Sequence, residues 1–208
     1  MNRTRLFIIL GAVVVIGGVI GIQVVSYFNS FAKVTLMPSN SATITIGPAD
    51  SEGTMKTESA SANSEQTVRL KKGSYAIKYS GNDYMDAFDN LNLTKATTVK
   101  TPNLVYKDAK LATLLQTERT SASQKALSAA PSGYKIRNEK LYQTGNWYGA
   151  ILVPVDPSVQ DILLVVLEKK DNTWTVAVTP RITIFKEEFP AVPPAVISHV
   201  ENRLWDEK

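Results

Sequence analysis

The sequence predicts an α+β protein in which one membrane-spanning helix precedes two exported folded modules. Three observations predict this: an uncharged apolar run near the start, a following stretch of short alternating strands, and a mixed helix-and-strand pattern in the second half. With 208 residues, 44% of them hydrophobic, the chain is long enough to bury a core. The predicted boundaries are 1–32 for a cytoplasmic tail and transmembrane anchor, 33–104 for a β-sandwich and 105–208 for an α+β domain.

Composition argues against several kinds of chemistry. The chain has no cysteine, which excludes disulfides, thiolate zinc sites, iron–sulfur clusters and a lipid-modified cysteine. Its single histidine, His199, excludes a multi-histidine metal site. With 23 basic and 19 acidic residues, the net positive charge is too small and the charges are too mixed for a nucleic-acid binder. No glycine-rich phosphate loop occurs, and we therefore expect no cofactor and no metal.

The apolar run begins at Leu6, ends at Phe28 and contains no charged residue. A helix needs about 20 apolar residues to cross the hydrocarbon core of a bilayer, and this run is long enough. Arg3 and Arg5 precede it, and positive charges flanking a span remain on the cytoplasmic side. We therefore expect a single-pass cell-membrane protein with a cytoplasmic N-terminus and extracytoplasmic C-terminal domains.

Two alternatives concern this same segment. The small residues Ser30 and Ala32 would suit a signal peptidase, but the apolar core of a signal peptide normally spans only about 7–15 residues. The length therefore favours a retained anchor over a cleaved signal. Gly17 and Gly21 have the spacing that lets two membrane helices pack closely as a homodimer. Glycine is frequent in membrane helices in general, so this spacing is weak evidence for a homodimer. A simple anchor in the lipid bilayer is therefore favoured.

The next module consists of strand patterns separated by turns. Alternating apolar and polar residues predict strands at 34–37, 42–47, 67–70, 74–79, 88–93 and 96–99. The Lys-Lys-Gly turn at 71–73 predicts that the third and fourth of these form a hairpin. Serine, threonine and glutamate dominate 50–66, which predicts a solvated loop. The number of strands predicts a small β-sandwich.

Two segments of this module form a recognisable motif pair. One is P-S-N-S-A-T-I-T-I from Pro38, and the other is Q-T-V-R-L-K-K-G-S-Y-A-I-K-Y-S-G from Gln66. Together they resemble the PEGA family of bacterial surface domains over about 34–100. The resemblance implies a non-catalytic, extracytoplasmic β domain of envelope proteins. The acidic-Gly-Ala signature of that family is replaced here by Asn-Ser-Ala at 40–42, so its association with carbohydrate is not carried over.

The last module alternates between helix and strand patterns. A helix is predicted over 106–127, with one face formed by Leu111, Leu114, Leu115, Ala122 and Ala126. Hairpins are predicted for 134–143 with 147–155 and for 162–168 with 174–179, followed by a last strand over 181–185.

A closing helix is predicted to begin at the proline pair 193–194, because proline suits the first helical turn. Its apolar side is formed by Val196, Ile197, Val200 and Leu204. We expect an antiparallel sheet with both helices covering one face. This outline is shared by cystatin-like and NTF2-like folds.

An aromatic set near the first hairpin of this module fits a binding role. If Tyr142, Trp147 and Tyr148 project into solvent, their rings would stack on a sugar or a peptide. Tyr134 and Trp174 belong to the same set. Core packing is nevertheless the favoured interpretation, because alternating strands turn about half of their side chains inward and tryptophan usually points inward.

Other motifs are better explained without chemistry. Ser30 and Lys33 fit S-x-x-K, but the partner motifs of penicillin-recognising enzymes are absent. A lone His199 in a helix is expected to be a packing residue. Three carboxylates lack the spacing of a calcium loop and are expected to be solvated: Asp83, Asp86 and Asp89. We predict no catalytic residues, no metal ligands and no enzymatic activity.

These observations predict a scaffold or protein-interaction module of the bacterial cell envelope, with other envelope proteins as partners. One alternative is a module that binds envelope polysaccharide through exposed aromatic residues. A second alternative is a hydrolase built on serine and carboxylate residues that no motif reveals. The sequence favours the first of these.

The orientation can be tested by cysteine labelling, because the natural chain contains no cysteine. We expect a membrane-impermeant maleimide to label Ser61→Cys but not Thr4→Cys in intact cells, since the charge bias retains Thr4 in the cytoplasm. After lysis both variants should react. Equal labelling of the two variants in intact cells would contradict the predicted topology.

Overall fold

The computed structural model describes residues 29–39, 41–156, 158 and 161–202. These ranges contain eleven strands and two α-helices, which confirms the predicted α+β class. None of the described helices is both long and apolar enough to cross a bilayer.

Several predicted features fall outside the described residues. They comprise the anchor from Leu6 to Phe28, the topology charges Arg3 and Arg5, the glycine pair Gly17 and Gly21, and Leu204 of the closing helix.

The described residues form two compact units. The first consists of residues up to 82 together with 86–102, and the second of 83–85 together with 103–202. The strands of the first unit are β1 (Phe31–Met37), β2 (Thr43–Pro48), β3 (Ala60–Ala62), β4 (Gln66–Lys71), β5 (Gly73–Ser80), β6 (Ala87–Leu93) and β7 (Thr97–Lys100). They form a three-stranded sheet, β4-β1-β7, and a four-stranded sheet, β3-β2-β5-β6.

Each sheet of the first unit has one buried row of apolar side chains. Val34 and Leu36 of β1 are fully buried, as are Ile44 and Ile46 of β2. These pairs are two residues apart because successive side chains of a strand point to opposite faces. The core of this unit therefore follows directly from the alternation in the sequence.

The predicted hairpin of β4 with β5 is wrong. β4 pairs with β1, with Val34 opposite Val68, whereas β5 pairs with β2 and β6 in the other sheet. Only Lys72 separates the two strands, and Gly73 adopts a φ of +154° that suits glycine. A short polar turn between alternating strands predicts a hairpin and a corner between sheets equally well.

The predicted loop at 50–66 also contains ordered structure. Strand β3 lies within it and pairs with β2, which places Ala62 in the core. The approach to β3 is close, because a Cβ added to Gly47 would lie 1.8 Å from the carbonyl oxygen of Thr57. A polar composition therefore concealed a short edge strand.

The second unit is an antiparallel meander with two helices. Its elements are α1 (Asp108–Ala129), β8 (Tyr134–Tyr142), β9 (Trp147–Pro154), β10 (Leu163–Lys170), β11 (Thr173–Arg181), a 3₁₀ turn (Lys186–Glu188) and α2 (Pro194–Asn202). The strand order is β11-β10-β9-β8, so both predicted hairpins are confirmed. The predicted strand over 181–185 is wrong, because β11 ends at Arg181 and the chain then bends. Beyond the bend, the backbone N–H of Ile184 donates to Glu201 Oε1 at 3.2 Å.

The two helices cover opposite faces of this sheet, so the prediction that both cover one face is wrong. Buried residues of α1, such as Ala122, pack in one core with Tyr148 of β9. Val200 of α2 packs in another core with Trp147, which precedes Tyr148 on β9. β9 is thus buried on both faces, which explains its nearly continuous apolar sequence.

The prediction that α2 has an apolar side is confirmed for its described residues. Val196, Ile197 and Val200 are all buried. The helix lies close to β9, because a Cβ added to Gly149 would lie 2.4 Å from Cγ2 of Val200.

Truncation of this apolar side should destabilise the second unit. We expect Ile197→Ala to lower the free energy of unfolding by about 2–5 kcal/mol, since it removes a fully buried aliphatic side chain. Urea unfolding followed by tryptophan fluorescence would measure this, because Trp147 and Trp174 are buried in that unit. Asn202→Ala, at an exposed position of the same helix, is the control. Equal midpoints for the two variants would contradict the packing of α2.

Candidate functional site

The second unit contains a pocket of about 380 Å³. Its walls come from the start of α1, the end of β8, the start of α2 and the segment 105–107, with Met85 at one side. Leu111, Tyr142 and Val196 are the buried members of this lining. The volume lies in the range of about 300–1,000 Å³ that is usual for ligand sites, and the buried part of its lining is apolar.

Backbone hydrogen bonds hold Met85 at the pocket. The N–H of Met85 donates to the carbonyl oxygen of Val105, and the N–H of Lys107 donates to that of Asp83, both at 2.8 Å. Residues 83–85 and 105–107 thereby form a short antiparallel pair within the second unit. Met85 is 56% exposed, so a large flexible apolar side chain remains accessible beside the pocket.

The same segment is connected to the turn that follows β8. The N–H of Tyr106 donates to the carbonyl oxygen of Gln143 at 2.8 Å, and the Tyr106 ring stacks on Tyr84 with centroids 5.0 Å apart. Gln143 has a φ of +59°, which is uncommon for a residue other than glycine. Backbone strain of this kind is often found at functional sites, and here it lies in the lining of the pocket.

The charged groups of the pocket lining are two lysines and one aspartate: Lys107, Lys140 and Asp108. The ammonium of Lys140 lies 2.8 Å from Oδ1 of Asp108 and 5.9 Å from the centre of the Tyr142 ring. The two partners differ in burial, because the side chain of Lys140 is 18% exposed and that of Asp108 is 82% exposed. The pocket therefore has a cationic side with a formal excess of one positive charge.

His199 is exposed on α2 and also lines the pocket. Its ring meets that of Tyr142 edge to face, with centroids 5.5 Å apart. The lone histidine of the chain thus contacts a buried aromatic ring and adds a polar group to the pocket wall.

The aromatic residues predicted to bind a ligand are buried. Tyr142 and Trp147 are each 6% exposed and Tyr148 is fully buried, so none of them offers an open ring face to a sugar. The favoured interpretation, core packing, is therefore confirmed for these three rings, and the alternative of an exposed stacking surface is wrong for them. Trp147 and Tyr148 lie in different cores because β9 is covered on both faces. Tyr142 of β8 shares the core of Trp147, and of these three rings it is the one that lines the pocket.

The other residues singled out from the sequence do not come together. Asp83 pairs with Lys110 at 3.0 Å in the second unit, and Asp86 pairs with Lys78 at 2.7 Å in the first. The carbonyl of Ser30 accepts the N–H of Lys72 at the start of the first sheet. Among the described residues no group of three or more His, Asp or Glu could hold a metal ion.

Two carboxylates that attach α1 to the sheet were not predicted from the sequence. Glu139 of β8 accepts hydrogen bonds from Tyr148 Oη at 2.6 Å and Ser123 Oγ at 2.9 Å, and its other oxygen lies 2.7 Å from Arg119 Nε. The Glu139 side chain is only 12% exposed. The polar residues beside Ala122 on the predicted helix, Arg119 and Ser123, were the signal in the sequence for this contact with Glu139.

Glu118 forms the second attachment. Its carboxylate accepts from Lys169 Nζ at 2.7 Å and from Trp174 Nε1 at 3.1 Å, which links the middle of α1 to the β10–β11 hairpin. Both carboxylates lie outside the pocket lining. Their role is therefore to position α1, whose first turn forms one wall of the pocket.

The chain matches no protein-family model, no curated protein and no solved structure.

Tyr148 gives the second unit a defined dependence on alkaline pH. Burial, with the hydrogen bond to Glu139, raises the pKa of Tyr148 above its ordinary value of 10.0. The unfolded chain therefore loses this proton first, so the stabilisation is complete below pH 10 and is lost as the pH rises toward the folded-state pKa. The free energy of unfolding of the parent should therefore fall as the pH rises above 10. In Tyr148→Phe this fall should be less steep, by up to about 1.4 kcal/mol per pH unit.

Urea unfolding of the full chain in detergent micelles, followed by tryptophan fluorescence between pH 7 and 11, would measure this effect. At pH 7 the variant should be less stable than the parent by about 1.5 kcal/mol, because one hydrogen bond to a carboxylate is lost. Curves of stability against pH that run parallel for both proteins above pH 10 would contradict the assignment.

Proposed function

We propose that the chain is a membrane-anchored, extracytoplasmic module of the cell envelope that binds a partner protein. The observation that carries this proposal is the pocket of the second unit, with its apolar base, its exposed Met85 and its cationic side. Methionine side chains beside an apolar concavity are typical of surfaces that bind a partner, because they adapt to the shape of the inserted group. A protein segment that inserts an apolar side chain is the simplest occupant.

The membrane location is supported by the uncharged run from Leu6 to Phe28 and by Arg3 and Arg5 before it. The PEGA-like motif pair supports the first unit as a small β-sandwich of the kind found on bacterial surface proteins. In this arrangement the anchor retains the chain at the membrane and the pocket receives the partner.

Binding explains the pocket better than catalysis does. The described residues that line it include no serine, threonine or cysteine that could serve as a nucleophile. Its lysine at 140 is paired with Asp108, and its histidine packs against an aromatic ring. An apolar concavity with a few polar groups at its side is the usual form of a recognition site.

Photo-crosslinking in the native cells tests this proposal. A benzophenone amino acid at Met85 should give a discrete adduct with one other protein under ultraviolet light. The same amino acid at Thr179, an exposed position of β11 outside the pocket lining, should not give that adduct.

A blocking variant makes this test specific to the pocket. Ala195 is exposed and lines the pocket, so Ala195→Trp should fill it and reduce the Met85 adduct at least about fivefold. An adduct that is equally strong at Thr179, or that is unchanged by Ala195→Trp, would overturn the proposal. The absence of any protein adduct at Met85 would overturn it as well.

A further inference from the structure

We propose that the pocket selects a partner segment in which an apolar residue is followed directly by an acidic one. This inference rests on the proposed function and specifies the chemistry of the partner at the same site. The apolar side chain would fill the pocket, and the adjacent carboxylate would meet the ammonium of Lys140.

The apolar part of the inference follows from the base of the pocket. Leu111, Tyr142 and Val196 are each 6% exposed or less, and Met85 adds an accessible apolar side. An inserted aliphatic or aromatic side chain would leave water and contact these groups, at about 25 cal/mol for each Å² of apolar surface buried. A fully polar segment would gain nothing from this base.

The acidic part follows from the charge of the pocket. The ammonium of Lys140 lies beside the apolar base, and its carboxylate partner Asp108 is 82% exposed. Because the Asp108 side chain is largely in water, it loses little when a carboxylate arriving with the partner shares or replaces its contact with Lys140. Removal of the segment's apolar surface from water then strengthens the new pair, because the local dielectric constant falls.

The presence of Asp108 favours one carboxylate over a more highly charged group. Lys107 and Lys140 against Asp108 leave a formal excess of one positive charge in the described lining, which a single carboxylate neutralises. A phosphate dianion would exceed that charge and would be repelled by Asp108. The formal charge of the lining therefore favours glutamate or aspartate over a phosphorylated residue.

Matched peptides provide the test. The probes are rhodamine-labelled hexapeptides Gly-Ser-X-Z-Ser-Gly with amidated ends, in which X is Leu, Met, Phe or Trp and Z is Glu or Gln. Fluorescence anisotropy would measure their binding to the full chain in lipid nanodiscs, with empty nanodiscs as the blank. We expect at least one X for which the Glu peptide binds about fivefold more tightly than its Gln partner, the size of one partly screened ion pair.

Three variants assign this preference to the pocket. Lys140→Met keeps an apolar stem and should reduce the Glu-to-Gln ratio to about one. Lys135→Met removes an exposed lysine of the same strand outside the pocket lining and should leave the ratio unchanged. Asp108→Asn removes the competing carboxylate and should raise the ratio about twofold or more. The urea midpoint of each variant, followed by tryptophan fluorescence, checks that the second unit is folded.

The inference is overturned if the ratio is near one for every X, or if a preference for Glu survives Lys140→Met. A Met85 adduct without any preference for Glu would leave the proposed function standing and remove this inference. A preference for Glu without a Met85 adduct would support the charge selectivity of the pocket and remove the protein partner. The two proposals can therefore fail separately.

Discussion

The second unit depends on the attachment of α1 to a sheet that must be covered on both faces. Among the 22 residues of α1, only Leu111, Ala122 and Ala126 are buried, and two of these are alanines. Besides Leu111, the large apolar side chains that this helix packs against the core are the half-buried Leu114 and Leu115. Glu118 and Glu139 supply the remaining attachment through short hydrogen bonds to groups of the partner element. Because each carboxylate joins the helix to a strand, they also set the position of the helix along the sheet.

The position of α1 in turn determines the pocket. Asp108 and Leu111 belong to its first turn, and both line the pocket opposite the end of β8. Lys140 lies on β8, one residue from Glu139, so the strand that holds the helix also presents the ammonium to the pocket. A shift of α1 along the sheet would separate Asp108 from Lys140. The pocket therefore depends on the contacts of Glu118 and Glu139, which lie outside its lining.

Local patterns in the sequence predicted much of the second unit, because its connections are between neighbours in the chain. The turn at 144–146 joins consecutive strands, and both hairpins follow from alternation and turn residues. In contrast, the run at 147–154 is apolar at nearly every position, which is the mark of a strand covered on both faces. That feature predicts helices on opposite faces of the sheet, and it agrees with the favoured interpretation of the aromatic rings as core residues.

Features that depend on distant segments were beyond the reach of these patterns. The corner after β4 has the composition of a hairpin turn, and only the pairing of β4 with β1 distinguishes the two. The pocket combines residues near 85, 107, 140 and 199, and no local spacing connects such positions. Hence the local patterns could not predict where in the fold this pocket lies.

Burial separates the carboxylates that hold the fold from the one that can exchange. Glu139 is 12% exposed and Glu118 is 24% exposed, so removal of either group's partners would leave a charge with little access to water. Asp108 is 82% exposed and loses little when its contact with Lys140 is replaced. Lys140 has the opposite character, since its side chain is only 18% exposed and its ammonium has an anion 2.8 Å away. A partner carboxylate can therefore compete with Asp108 for Lys140 while both attachments of α1 remain intact.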